Sequence, residues 1–97
     1  MKTVADFKRK MQVGASVNTT LYKKNHNTNE LTVQREYETR TVSIVMSARF
    51  AFKTWIPEKE QFTNSYCDFP KAKDFTPIDE NTAEIHFPNG KLVYKFV

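Results

Sequence analysis

Between Arg40 and Trp55 apolar residues recur at every second position: Val42, Ile44, Met46, Ala48, Phe50 and Phe52 alternate with Thr41, Ser43, Val45, Ser47, Arg49, Ala51 and Lys53. A period of two puts one set on each face of an extended chain. Wound as a helix, the same residues would bring Arg49 onto the face of Val42, Val45 and Met46 and send Phe50 and Phe52 to opposite sides, so the alternation predicts strand. A strand of this length in a small domain must bend, because a twisted sheet curls to cover its apolar face. The small residues Ser47 and Ala48 mark the place where bending costs least. The expectation is one long bent strand at the centre of a curled sheet or small barrel.

Ahead of that stretch, Thr3 and Asp6 stand at the spacing of a capping box, followed by Val4, Phe7 and Met11 at helical intervals. They predict a helix from about Val4 to Gln12, stopped by Gly14. So short a helix does not hold in water alone and must dock on the sheet through Phe7. Ser16 to Tyr22, rich in β-branched residues, predicts a first strand with Val17, Thr19 and Leu21 on one face. Lys23 to Glu30 is wholly polar and reads as a loop. Leu31, Val33, Arg35 and Tyr37 then alternate in odd parity, whereas the central stretch is even. The change requires an extra residue and places a bulge or turn within Glu36 to Arg40.

Beyond Trp55, the segment Ile56 to Gln61 is polar and marked by Pro57, so it reads as a loop, and Phe62 to Cys67 as a short strand. Pro70 suits the start of a single helical turn that Phe69 and Phe75 anchor inward. Thr76 to Asn81 is a connection into a closing hairpin, Thr82 to Val97, with Asn89-Gly90 between two alternating runs. A two-residue turn at Asn89-Gly90 sets Phe87 opposite Leu92, Ile85 opposite Tyr94, Ala83 opposite Phe96 and Glu84 opposite Lys95, and is the preferred register. A type I turn over Pro88, Asn89 and Gly90 with a glycine bulge is the alternative. Together the elements describe one domain over residues 1–97: mainly β, a small curled antiparallel sheet or barrel of five or six strands with a short N-terminal capping helix.

Composition adds three constraints. A chain of 97 residues with 8 Phe, 4 Tyr and 1 Trp has the bulk to fill a core beneath a thin sheet. The lone Cys67 has no disulfide partner and no His or Cys at ligand spacing, which points to a reducing compartment, the cytoplasm, and to no metal or cofactor. No apolar run is long enough for a membrane span, and the charged N-terminus lacks the pattern of a signal peptide, so no membrane partner is expected. Net charge is +4, but residues 1 to 24 hold six basic side chains against one acid, leaving the remainder near neutral.

Catalysis needs positioned groups of tuned pKa, and His26 in a polar loop, His86 on a hairpin strand and Cys67 among Tyr66, Asp68 and Phe69 show no such arrangement, so the chain reads as non-enzymatic. Two binding readings remain. A protein contact would use residues too apolar for their loop, Trp55, Ile56 and Phe62 around Pro57, with Lys59 on the rim. A nucleic-acid contact would use Lys8, Arg9, Lys10, Lys23 and Lys24 of the basic N-terminal quarter. It would add Arg49 and Lys53 beside Trp55, with Arg35, Tyr37 and Arg40 adjacent. Oligomeric state is not legible in the sequence.

The opening Thr3-Val4-Ala5-Asp6-Phe7-Lys8, the stop at Val13-Gly14 and the segment Ser65-Tyr66-Cys67-Asp68-Phe69-Pro70-Lys71-Ala72 resemble small proteins of bacteriophages and integrated mobile elements of Gram-positive bacteria. The resemblance runs over most of the chain. It implies a compact β-barrel of the Src-homology type without an established activity, and it gives the protein-binding reading a setting: an accessory protein that binds a host protein, with an inhibitor of a defence nuclease as one form of that role. It transfers no functional residue.

Overall fold

The computed structural model describes residues 1–97 and divides them into one helix and eight strands. In chain order these are α1 (Val4–Lys10), β1 (Ser16–Lys24), β2 (Leu31–Glu36), β3 (Arg40–Val45), β4 (Arg49–Ile56), β5 (Gln61–Asp68), β6 (Phe75–Pro77), β7 (Thr82–Phe87) and β8 (Gly90–Phe96). Single helical turns at Pro57–Lys59 and Ala72–Asp74 interrupt the connections. All pairings are antiparallel, in the order β5-β4-β3-β1-β8-β7-β6. β8 runs along one edge of β1 over Val17 to Lys23. The other edge is shared: β3 takes Ser16 and Val17, and β2 takes Thr20 to Lys24. The chain leaves β1 in two directions from one edge, and the sheet does not close into a barrel.

The stretch expected to be one bent strand is a hairpin. Ser47 and Ala48 sit where the bend was expected, but the chain reverses completely, and Met46 N–H donates to the Arg49 carbonyl at 2.8 Å. Val42 faces Phe52 and Val45 faces Phe50, with a register shift between Val42 and Ile44. Alternation cannot tell a bend from a reversal, because both leave period two intact on either side. Pairing decides it, since a reversal lets the two halves satisfy each other's backbone groups. This division, together with the short β6 inside the expected connection, raises the strand number from five or six to eight.

The helix begins as the sequence implies. Asp6 N–H donates to Thr3 Oγ1, while the N–H groups of Lys2 and Thr3 donate to Asp6 Oδ2 at 2.8 and 3.1 Å, a complete capping box. Those donors, Lys2 foremost, hold the Asp6 carboxyl down to about 2. The helix ends at Lys10, two residues short of the expected Gln12, and Gly14, at φ +94°, shapes the descent into β1 instead. Phe7 is fully buried and meets Phe50, Phe69, Phe75, Tyr94 and Phe96 edge-on, at centroid distances of 5.7 to 6.3 Å. Met1, Met11, Val17, Val42, Phe52 and Ala83 complete the core.

The closing hairpin forms in neither expected register. Its turn is Pro88-Asn89, and Phe87 pairs with Gly90, Ile85 with Leu92, Glu84 with Val93, Ala83 with Tyr94 and Thr82 with Lys95. Neither turn residue has positive φ, so the mirror-image turn that Asn-Gly favours is not used. Gly90 serves another purpose: it pairs with Lys23 of β1, and a Cβ there would lie 2.0 Å from the Tyr22 carbonyl oxygen. The slip of two residues keeps every apolar side chain on its expected face, which is why hydrophobic pattern alone could not separate the registers.

Candidate functional site

Period two in β4 and β5 puts Arg49, Lys53 and Trp55 on the outer face of the ribbon with Phe62, Asn64, Tyr66 and Asp68. The Pro57–Lys59 turn, closed by Glu60 in the left-handed region at φ 49°, brings Phe62 directly opposite Trp55. Their rings meet edge-to-face at 4.9 Å, yet remain 48% and 56% exposed. Lys53 Nζ stands 4.5 Å from the Phe62 ring centroid, and the Arg49 guanidinium 5.3 Å from that of Tyr66. Arg49 also reaches Asp68 at 3.6 Å. Lys59 is exposed in the turn, and Ile56, half-buried, alternates onto the face opposite Trp55. Trp55, Phe62 and Lys59 thus gather at one end of the ribbon, and Ile56, expected with them, does not share their face.

Beside this pair the chain turns from β2 to β3, and the turn and the ribbon enclose a cleft of about 530 Å³. Pro57, Trp55 and Phe62 line one side and residues 35–40 the other. Arg35 and Arg40 both stack on Tyr37, at 4.4 and 4.2 Å, and Arg40 also covers Phe52 at 4.2 Å. Neither arginine forms an ion pair. Burial depresses the Arg40 pKa, and Arg40 Nε is enclosed with no hydrogen-bond partner in the protein. A second hollow of about 340 Å³ continues inward from the same arginines to Thr19, Cys67 and Tyr94. Burial raises the Cys67 thiol and, more strongly, the Tyr94 phenol, so both carry their protons at neutral pH.

The N-terminal cations do not form one surface. Lys8 Nζ lies 5.0 Å from the Phe69 ring centroid and donates to the Ser47 carbonyl, Arg9 pairs with Asp6, and Lys10 donates to Asn81. Lys23 and Lys24 lie at the far end of β1, roughly 23 Å along the strand from Ser16 at about 3.3 Å per residue. There they border a depression with His26 and Asn89. His86 is exposed and contacts Glu84 at 3.2 Å; Glu84 is drawn down mainly by Lys91, whose Nζ approaches at 2.7 Å. No three His, Cys, Asp or Glu side chains converge as metal ligands, and no helix is long and apolar enough to cross a membrane.

Sequence reasoning placed Arg35, Tyr37 and Arg40 beside Trp55 and missed the inner hollow. Thr19 was its one visible signal, a hydroxyl on the core-facing side of β1. Comparison with protein-family models, curated proteins and solved structures finds no match to this chain.

Proposed function

We propose that this chain is a non-enzymatic binding module that acts by stoichiometric contact with another protein through the end of the β4–β5 ribbon. The observation that carries the reading is the Trp55–Phe62 pair: two large rings packed on each other, half in solvent, with Lys53 over Phe62 and Glu58 and Lys59 exposed in the turn that joins them. Apolar anchors inside a polar rim are the arrangement that concentrates binding energy in protein interfaces. The sequence resemblance to phage and mobile-element proteins supplies the setting, a host protein as partner, and inhibition of a host defence nuclease as one such role. A fold that presents a rigid patch suffices for that task.

The second reading, a nucleic-acid contact, is favoured by the same face, where Arg49 and Lys53 interleave with Tyr66 and Phe62 as cation and stacking platform. The experiment is affinity capture from bacterial lysate with and without nuclease treatment, comparing wild type with Trp55→Ala and Phe62→Ala. The protein reading expects a defined protein, retained after nuclease and weakened by about 2 kcal/mol or more in the variants. Equal recovery by all three forms contradicts the assignment to this pair. Capture of nucleic acid alone contradicts the protein partner.

A further inference from the structure

The inner hollow has features that a filled core would not have and that the protein contact at Trp55 does not use. Arg35 and Arg40 both pack on the Tyr37 ring and both line the 340 Å³ hollow, which no acid borders. Glu36 and Glu38 border only the outer cleft and make no ion pair with either arginine. Two unpaired cations on one hollow repel each other, and Arg40 is in addition partly stripped of water, a cost that an anion bound in the hollow would reverse. Two enclosed polar atoms, Arg40 Nε and Thr19 Oγ1, have no partner in the protein. Both residues line the hollow, and buried polar groups are ordinarily hydrogen-bonded, so a small movement of either side chain toward a ligand there would give its orphan atom a partner. The remaining lining is mostly hydroxyls and aromatic rings, among them Tyr37 and Tyr94, with Cys67 and Leu92.

We propose that this hollow binds a small phosphate monoester, its phosphoryl oxygens held by Arg35 and Arg40. Two guanidinium forks with flanking hydroxyls offer more donors than the two oxygens of a carboxylate take up, and suit the three free oxygens of a monoester. A bare phosphate would leave much of the 340 Å³ empty, whereas an esterified organic group would fill it against the tyrosine rings.

Isothermal titration at fixed low ionic strength tests the proposal with inorganic phosphate, ribose 5-phosphate, adenosine 5′-monophosphate, adenosine and acetate. The expected result is saturable binding of the two monoesters, weaker binding of inorganic phosphate and none of adenosine or acetate. Arg35→Gln, at an exposed position, should keep the wild-type circular dichroism spectrum and weaken monoester binding by about tenfold or more. Arg40→Lys, which keeps the charge and loses the fork, should weaken it as well. Absence of saturable binding by either monoester overturns the proposal. So does adenosine or acetate binding as well as the monoesters, or undiminished affinity in Arg35→Gln.

Discussion

The two ends of the curled sheet are built on opposite principles although the same strand, β1, runs through both. At the helix end Val17 lies under Phe7, and five aromatic rings meet that phenylalanine edge-on with Met11 and Val42 around them. Two residues further on, the inward side chain is Thr19, and the surroundings change to Arg40, Tyr37, Cys67 and the hydroxyl of Tyr94. The change coincides with the switch of partner along one edge of β1, from β3 to β2. Where α1 covers the sheet, dry aromatic packing is the cheapest filling. Where β2 and β3 part, no element covers the gap, and groups that tolerate water or a ligand line it. With the proposed contacts at the open end, stability and binding would fall to different ends of a small domain, so that a binding surface could vary without emptying the core.

The largest expected effect is at the helix end. Phe7→Ala should lower the unfolding free energy by about 3–5 kcal/mol, a large part of what so small a domain has, read as a fall in the urea midpoint. Tyr37→Ala at the open end removes the two cation contacts and should cost only about 1 kcal/mol in the same titration. Similar losses for the two variants would break the comparison.

An intermediate effect is expected at Gly90. Its substitution by Ala drives a Cβ against the Tyr22 carbonyl oxygen, and neither is a flexible side-chain end, so β1 and β8 must separate locally at a cost of about 1–3 kcal/mol. Chemical shifts should move along Tyr22 to Lys24 and Lys91. An unchanged stability and spectrum would mean that the hairpin pairs in another register.

The fate of Gly90 also shows where sequence reading reached its limit. Period and capping residues are local, and they located the helix start at Thr3, the strand of Ser16, the break between Glu36 and Arg40 and the ribbon after Pro57. Chain reversal at Ser47 and the register at Gly90 depend on what lies alongside, the ladder between Val42 and Phe52 and the backbone of β1 against β8. A shift by two leaves the pattern untouched, so no local signal could choose. The candidate site divides the same way. Trp55 and Phe62 were visible as apolar residues in polar company. The hollow below Arg35 and Arg40 is assembled from β1, the β2–β3 turn, β4, β5 and β8, and only tertiary structure brings these together.

The smallest effect concerns the helix cap. Thr3→Ala should cost about 1 kcal/mol. The Asp6 carboxyl is held at about 2 in the folded chain against 3.8 ordinarily, so the unfolded chain binds the proton more readily. Its contribution is therefore present above pH 3.8 and is lost as pH falls toward 2. Asp6→Asn should flatten this acid limb in thermal melts between those values, and leave the stability of the open end unchanged. An acid limb of wild-type slope in Asp6→Asn would mean that other carboxylates, Glu84 first, carry it.

Native-state hydrogen exchange measures the division between the two ends most directly, because it reads the opening free energy of each amide separately. If the helix-covered end holds the fold together, the amides of Val17, Val42, Phe52 and Tyr94 exchange only with global unfolding and share its denaturant dependence. Those of β2 and of Tyr37, beside the open seam, exchange through local openings several kcal/mol smaller and nearly independent of denaturant. Equal protection across both groups, with one common denaturant slope, would contradict the account.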